Sequence, residues 1–149
     1  MREIKFRGKR LDNGEWLYGN LVELRNPFNP NDASACFIMP KEVNIAAPDS
    51  IAEQDVVDPD TVGQFTGLLD KNGKEIYEGD IISERLKGHR KYQDAYQVVF
   101  VDYQWCGKNG YGSCTSLSLF EEFHDIKVIG NIHDNPELLS NDEHDPGLQ

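Results

Sequence analysis

Long hydrophobic runs are absent from this sequence, and positive charge is scarce. No apolar stretch approaches the ~20 residues that a membrane-spanning helix needs, and the opening segment 1–5, MREIK, lacks the apolar core of a signal peptide. The 149 residues carry 15 Lys and Arg against 26 Asp and Glu, which gives a net charge of −11 at pH 7. We therefore expect a soluble, acidic, cytoplasmic protein. Because the field of this net charge repels polyanions, we do not expect it to bind nucleic acid by bulk charge.

Cysteine is also scarce, and its spacing argues against a disulfide framework. The chain has three cysteines, Cys36, Cys106 and Cys114, with no C-x-x-C pair among them. We expect reduced thiols that pack as small apolar side chains, although a bond between Cys106 and Cys114 across a glycine-rich hairpin stays open. A zinc site that joins these two cysteines to His124 has no supporting ligand spacing. The sequence therefore predicts no metal and no cofactor.

The spacing of turn residues predicts a mainly β protein. Turn signals recur about every ten to twenty residues, and long helical periodicity is missing. Near the N-terminus, Asn13-Gly14 separates two β-like segments and predicts a hairpin, with Leu17 and Leu21 on the buried side and a bulge at Gly19. The rest of the region 1–60 is predicted as a loop at 25–34, a strand at 36–39, one helical turn at 50–54 and an acidic connector.

Residues 61–139 carry the strongest strand signals. About five short strands are predicted, of which 96–103 is the clearest, and 115–120 is predicted as a strand that returns from a glycine-rich turn. This number of strands is typical of a small closed or nearly closed barrel, and closure would remove exposed sheet edges. Asn135 and Pro136 predict a short terminal helical turn, and the acidic tail 140–149 has the composition of a disordered segment.

Motifs for catalysis are missing from the chain. The glycine-rich segment 107–112 would need a following helix to cradle a phosphate, and a strand is predicted there instead. Asp80, Glu121 and Glu122 are the candidate carboxylates for acid–base chemistry, but with 26 acids in the chain some are expected to lie close together by chance. No Gly-x-Ser-x-Gly nucleophile motif occurs. We therefore predict that the protein is not an enzyme.

Several turn-and-strand motifs together resemble the YopX family, which consists of small proteins of phages and prophages of bacteria. They are FRGK at 6–9, NGEWLYG at 13–19, TVGQFTGL at 61–68, DKNGKEIYEGDI at 70–81 and VIGNIHDNPELL at 128–139. The resemblance implies a mainly β fold. In it, an N-terminal β-hairpin region (1–60) packs with a C-terminal SH3-like small β-barrel (61–139), which ends in a short helical turn. It implies no reaction, because the family has no assigned activity.

A phage or prophage protein with this fold is expected to act as a non-enzymatic adaptor in the cytoplasm of the bacterial host. Its partner would be a host or phage protein, and a homo-oligomer stays open. Small barrels commonly serve as interaction modules, although fold alone does not establish function. Because Trp and Tyr dominate interface hot spots, the predicted contact residues are Trp16, Tyr18, Tyr77, Tyr103 and Trp105.

Two alternatives use charge in place of aromatic contact. In the first, Arg7 and Lys9 of the basic N-terminal strand bind single-stranded nucleic acid, with Trp16 and Tyr18 across the hairpin as stacking partners. Strand alternation predicts that Lys5, Arg7 and Lys9 point outward. In the second, the acidic surface mimics DNA and binds a host protein.

Overall fold

The computed structural model describes residues 1–25, 27–29, 31–32, 34–40 and 56–139. In chain order the elements are β1 (Phe6–Lys9), β2 (Trp16–Leu24), β3 (Ala35–Met39), β4 (Val56–Val57), a 3-10 turn (Pro59–Thr61), β5 (Gly63–Leu69), β6 (Glu75–Tyr77), β7 (Asp80–Leu86), β8 (Gln93–Val101), β9 (Gln104–Lys108), β10 (Cys114–Ser116), α1 (Leu117–Phe123), β11 (His124–Asn131) and a terminal 3-10 turn (Pro136–Leu139). The predicted mainly β class is confirmed, and the strands form two antiparallel sheets.

The chain divides into two compact units, Met1–Gly67 and Leu68–Gln149. The helical turn predicted at 50–54 and the tail predicted at 140–149 lie outside the described residues. Across the described ranges, no helix has the length and the apolar character needed to cross a membrane.

The first unit is built on the predicted N-terminal hairpin. β1 and β2 pair without a register shift, from Phe6 opposite Gly19 to Lys9 opposite Trp16, and the strand order in this unit is β4-β3-β2-β1-β5. The core of the unit consists of buried and half-buried side chains from these strands: Phe6, Leu17, Leu21, Cys36, Ile38, Val57 and Val62. The buried side predicted for Leu17 and Leu21 is thus confirmed.

The β1–β2 pairing, at whose end the bulge is predicted, shows no register shift from Lys9–Trp16 to its last pair, Phe6–Gly19. The glycine is required for another reason. A Cβ atom added at Gly19 would overlap the carbonyl oxygen of Met39 on the neighbouring strand. Glycine here allows the backbones of β2 and β3 to approach closely, a role that residues with side chains cannot fill.

The second unit contains an open five-stranded sheet with the strand order β10-β9-β8-β7-β11. The predicted closed barrel is therefore not formed, because β10 and β11 remain edge strands. β11 is covered by the turn that follows β5, where the N–H group of Lys71 donates to the carbonyl oxygen of Ile126 at 2.8 Å. Covering an edge with a loop satisfies the same backbone groups that closure would satisfy.

Asp70 ties this turn to the edge of the sheet. Its Oδ1 atom accepts the backbone N–H groups of Asn72 at 2.8 Å and Lys74 at 2.9 Å. Its Oδ2 atom accepts the backbone N–H group of Val128, on β11, at 3.1 Å. Asp70 is 7% exposed, so one buried carboxylate fixes both the turn and the position of the edge strand.

The segment predicted as one strand at 115–120 is largely helical. β10 ends at Ser116, and α1 begins at Leu117. Leu117 and Phe120 are three positions apart and therefore lie on one face of the helix, where both are buried in the core of the second unit. Tertiary burial of this pair overrides the alternating pattern. Gly107 of β9 leaves room for the Phe120 ring, since an added Cβ would lie 2.9 Å from the ring.

The three thiols are free, and they differ in exposure. Cys36 and Cys106 are buried, whereas Cys114 is exposed. Cys114 lies opposite Lys108, and Cys106 lies opposite Ser116, so the two cysteines are not a directly opposed cross-strand pair. Burial raises the pKa of Cys36 and of Cys106 and thereby lowers their thiolate fractions.

We predict that Cys114 alone reacts rapidly with a thiol reagent in the native state. The thiolate is the reactive species, and both buried thiols are shielded and hold raised pKa values. Labelling at pH 8 followed by mass spectrometry should show one fast modification, which Cys114→Ser removes, and two more only after denaturation. A second fast thiol in the wild-type protein would contradict the assigned burial.

We predict that Asp70→Asn lowers the free energy of unfolding by about 2 kcal/mol. The amide keeps one oxygen acceptor but turns an NH₂ group toward the N–H of Val128 or of the turn, and charge-assisted bonds of this kind are each worth ~1.5–3 kcal/mol. Urea denaturation measures the change. Glu122→Gln is the matched control, because it makes the same carboxylate-to-amide change at an exposed residue of the second unit. Equal effects at both positions would contradict the role given to Asp70.

Candidate functional site

The basic strand predicted as a nucleic-acid site is covered by its own aromatic neighbours. The guanidinium carbon of Arg7 lies 4.6 Å from the centre of the Trp16 ring, and Lys9 Nζ lies 5.8 Å from the same ring. Arg7 is 5% exposed, so the predicted outward position of this side chain is wrong. Its opposite residue on β5 is Gly63, which has no side chain to exclude the guanidinium.

This packing changes what the strand offers to a ligand. Lys5 follows the same pattern, with Nζ 5.4 Å from the centre of the Phe65 ring. Cation–π contacts of this kind stabilise the fold and occupy the ring face. The face of Trp16 that Arg7 covers cannot stack on a nucleic-acid base, whereas Tyr18, which lies opposite Arg7, is 48% exposed.

The predicted contact residue Tyr77 is part of the core. It is 2% exposed, and its hydroxyl donates to Oε2 of Glu75 at 2.7 Å. Its backbone N–H donates to Oδ2 of the buried Asp80 at 2.8 Å. Tyr77 therefore has no surface with which to contact a partner.

The predicted contact residues Tyr103 and Trp105 lie at one end of the β8–β9 hairpin, next to Phe100. Phe100 and Trp105 are directly opposite each other, with ring centres 4.8 Å apart at an angle of 63°. Trp105 is half-buried against the core of the second unit, whereas Phe100 is 52% exposed. Tyr103 lies in the two-residue connection and is 97% exposed. We call Phe100, Tyr103 and Trp105 the aromatic tip.

The backbone of the aromatic tip is strained at its turn. Asp102 has φ of 49° and Tyr103 has φ of 64°, both in the left-handed region. Two-residue hairpins with this geometry strongly favour Asn-Gly or Asp-Gly. A tyrosine in the second position costs ~1–2 kcal/mol relative to the right-handed region, and its exposed side chain regains none of this by packing.

A second candidate, a charged cleft of about 220 Å³, lies at the start of β11. Asp125 Oδ2 is 3.0 Å from both Lys71 Nζ and Arg85 Nε, and His124 Nδ1 is 2.6 Å from Oε2 of the buried Glu84. The lining comprises Leu69, Asp70, Lys71, Lys87, Glu121, His124, Asp125 and Ile126, which supply no hydroxyl or thiol nucleophile.

No group of three or more metal-ligating side chains comes together in the described part of the chain. His124, Cys106 and Cys114, which the sequence analysis considered as a zinc site, do not form such a group. The three candidate carboxylates for acid–base chemistry lie in different environments. Asp80 is buried and accepts the backbone N–H of Tyr77, whereas Glu121 and Glu122 are exposed on α1.

The connection between β7 and β8 is a third charged feature. Residues 85–92, RLKGHRKY, contain four Lys and Arg and no acid, and we call them the basic loop. Tyr92 is flanked by two cations, with the guanidinium carbon of Arg85 4.8 Å and Nζ of Lys127 5.8 Å from its ring centre. The polar and basic composition of residues 87–94 predicts a loop here but no role for it. The run of cations in an acidic chain was the available signal.

The aromatic tip was only partly predicted. The residue types that dominate interface hot spots, Trp and Tyr, predict Tyr103 and Trp105 as contact residues, whereas Phe100 lies within the predicted strand 96–103 and is not among them. A strand that extends past its neighbours exposes its end, and a single sequence does not show where the neighbours stop.

The chain is similar to a known protein family and to solved structures. The family model described as YopX protein matches residues 5–140. A crystal structure of protein EF1440 from Enterococcus faecalis is similar, with 26% identity and a TM-score of 0.51 over 93% of this chain and 99% of that chain. The X-ray structure of protein yopX from Bacillus subtilis shares the fold at 20% identity and a TM-score of 0.52, over 91% and 95% of the two chains. No curated protein matches the chain.

We predict that Tyr103→Gly stabilises the protein. Glycine removes the ~1–2 kcal/mol cost of the left-handed tyrosine and adds ~0.5–1 kcal/mol of unfolded-state entropy, so unfolding should cost about 0.5–1 kcal/mol more. Urea denaturation measures the change. Tyr111→Gly is the matched control, since Tyr111 is also exposed but lacks a positive φ. Glycine there should destabilise, and the same sign at both positions would contradict the strain at Tyr103.

Proposed function

The chain belongs to the YopX protein family, whose function is unknown, and we propose that it is a non-enzymatic protein-binding module that uses the aromatic tip. The proposal places it in the cytoplasm of a bacterial host, encoded by a phage or prophage, with a host or phage protein as its partner. The likeness of the second unit to an SH3-type barrel, which the family implies, stays part of this proposal.

The single observation that carries the proposal is Tyr103. A bulky residue in the left-handed region is a true outlier, and such strain concentrates where a side chain serves a function. Since Tyr103 is 97% exposed, folding gains nothing from its ring. Presentation of the ring to another molecule accounts for the cost, because buried tyrosine and tryptophan side chains dominate protein interfaces.

The neighbouring pair supports this role by holding the tip rigid. The edge-to-face contact of Phe100 and Trp105 joins the two strands of the hairpin immediately before the turn. Trp105 also packs on the core, so the pair connects the turn to the rigid part of the unit. Aromatic side chains that are already ordered lose little conformational entropy on binding. The tip therefore combines an exposed ring with a fixed support.

The charged cleft supports the non-enzymatic part of the proposal. Asp125 is shared between Lys71 and Arg85, and Glu84 holds His124. These groups are engaged with one another, and the lining supplies no hydroxyl or thiol to attack a substrate. The arrangement is better suited to fixing the start of β11 than to catalysis.

The two charge-based alternatives have weaker support. Binding of single-stranded nucleic acid by the N-terminal strand needs accessible cations, and Arg7 is buried against Trp16. Mimicry of DNA rests on the net charge of −11 alone. Both remain predictions of lower rank than contact through the aromatic tip.

We predict that a photo-crosslinking amino acid at position 103 captures a specific protein in host cells. Benzoylphenylalanine would replace Tyr103 in one variant and Tyr111 in the control, since both side chains are exposed in turns of the second unit. Irradiation should give a defined adduct at 103 only, identified by mass spectrometry. An adduct at twice the chain mass would identify a second copy as the partner.

The Tyr103→Gly variant separates binding from folding. It should fold at least as stably as the wild type, yet binding of the captured partner should fall by roughly 30-fold, which is the effect of losing a hot-spot residue of ~2 kcal/mol. No adduct at 103, equal adducts at both positions or unchanged binding by Tyr103→Gly would each overturn the proposal.

A further inference from the structure

The basic loop concentrates positive charge in a strongly acidic chain. Arg85, Lys87, Arg90 and Lys91 lie within eight residues without an intervening acid, and His89 lies among them. The same chain carries 26 Asp and Glu against 15 Lys and Arg. Residues 87–91 are all exposed. Such a local excess of one sign is unexpected on a surface where acids are abundant enough to pair with every cation.

The cations of the basic loop fall into two groups. Lys87 Nζ donates to the carbonyl oxygens of Glu121 at 2.9 Å and Glu122 at 3.0 Å, near the end of α1. Arg85 is held by Asp125 and by the ring of Tyr92. Both cations lie at the β7 end of the loop, and the contact of Arg85 with Tyr92 ties this end to the β8 end.

Arg90 and Lys91 form the second group, at the exposed part of the loop. Within the described residues, neither side chain makes an ion pair, a hydrogen bond or a ring contact. At physiological salt the Debye length is ~8 Å, so an anion that approaches Arg90 and Lys91 meets chiefly the field of the loop and its immediate neighbours, among them the acidic residues Glu121 and Glu122. The loop therefore presents two unneutralised charges on an anchored backbone.

We propose that the basic loop binds the phosphate backbone of duplex nucleic acid, at a surface separate from the aromatic tip. A duplex presents one negative charge per ~1.7 Å of its axis, whereas an extended acidic peptide presents at most one per ~3.3 Å. Adjacent Arg and Lys side chains suit the denser array, because arginine binds phosphate oxygens in pairs and lysine adds a point charge.

The state of Tyr92 favours a duplex over a single strand. Proteins that bind single strands stack bases on free aromatic faces. The ring of Tyr92 is already in contact with Arg85 and Lys127, so a base that stacks on it would compete with these two cations. Contact is then limited to phosphates, which gives binding without sequence preference.

The test measures fluorescence anisotropy of a labelled 20-base-pair duplex with the full chain, at 50 to 200 mM NaCl. Two phosphate contacts, one each from Arg90 and Lys91, give a slope of log K against log salt of about −2, the acidic remainder of the surface reducing its magnitude. Arg90→Glu should weaken binding about tenfold or more, and Arg90→Lys should stay within about threefold of the wild type. Lys108→Glu is the matched control, since it makes the same charge change at an exposed residue of β9.

Several outcomes would overturn the proposal. They are no binding of the duplex at 50 mM NaCl, equal losses for Arg90→Glu and Lys108→Glu, and tighter binding of a dT20 oligonucleotide or a polyglutamate peptide than of the duplex. Circular dichroism of each variant shows that the fold is retained. This experiment and the crosslinking test of the aromatic tip are independent, because Tyr103 is unchanged in these variants.

Discussion

The buried carboxylate of Asp70 is the constraint on which the second unit depends. An ionised carboxylate offers two oxygens with about four acceptor positions, and Asp70 uses them for two N–H groups of its own turn and one of β11. The turn thereby covers an edge that an open sheet would expose. The same contacts position the start of β11, which carries His124 and Asp125. Asp70 therefore also helps to set the geometry of the charged cleft.

Cation–aromatic contact is used in both units and limits what each surface can bind. In the first unit, Arg7 lies against Trp16, and in the second unit Arg85 lies against Tyr92. In both cases the aromatic ring contacts a cation of the same unit, which limits its availability to a ligand. Tyr103 differs, because its ring is almost fully exposed at a strained turn. The contrast separates aromatic residues that stabilise the protein from one that is available to a partner.

Much of the fold could be predicted from local sequence. Asn13-Gly14, Asp70 to Gly73 and the alternating strands specify turns and extended segments through φ preferences and side-chain period, which act within a few residues. The N-terminal hairpin and the inward positions of Leu17 and Leu21 followed from these rules. The helix α1 did not, because Leu117 and Leu119 fit the alternation of a strand, and only the core beneath α1 selects the helical face that carries Leu117 and Phe120.

The candidate sites show the same division. Sequence by itself determined the mainly β class, the acidic net charge and the aromatic residues worth testing. Tertiary structure decided that the sheet is open, that Arg7 and Tyr77 are buried, and that Phe100 joins Tyr103 and Trp105 at one exposed end. The physical reason is that burial and pairing depend on contacts between residues far apart in the chain, whereas turn and strand preferences depend on the backbone and side chains of near neighbours.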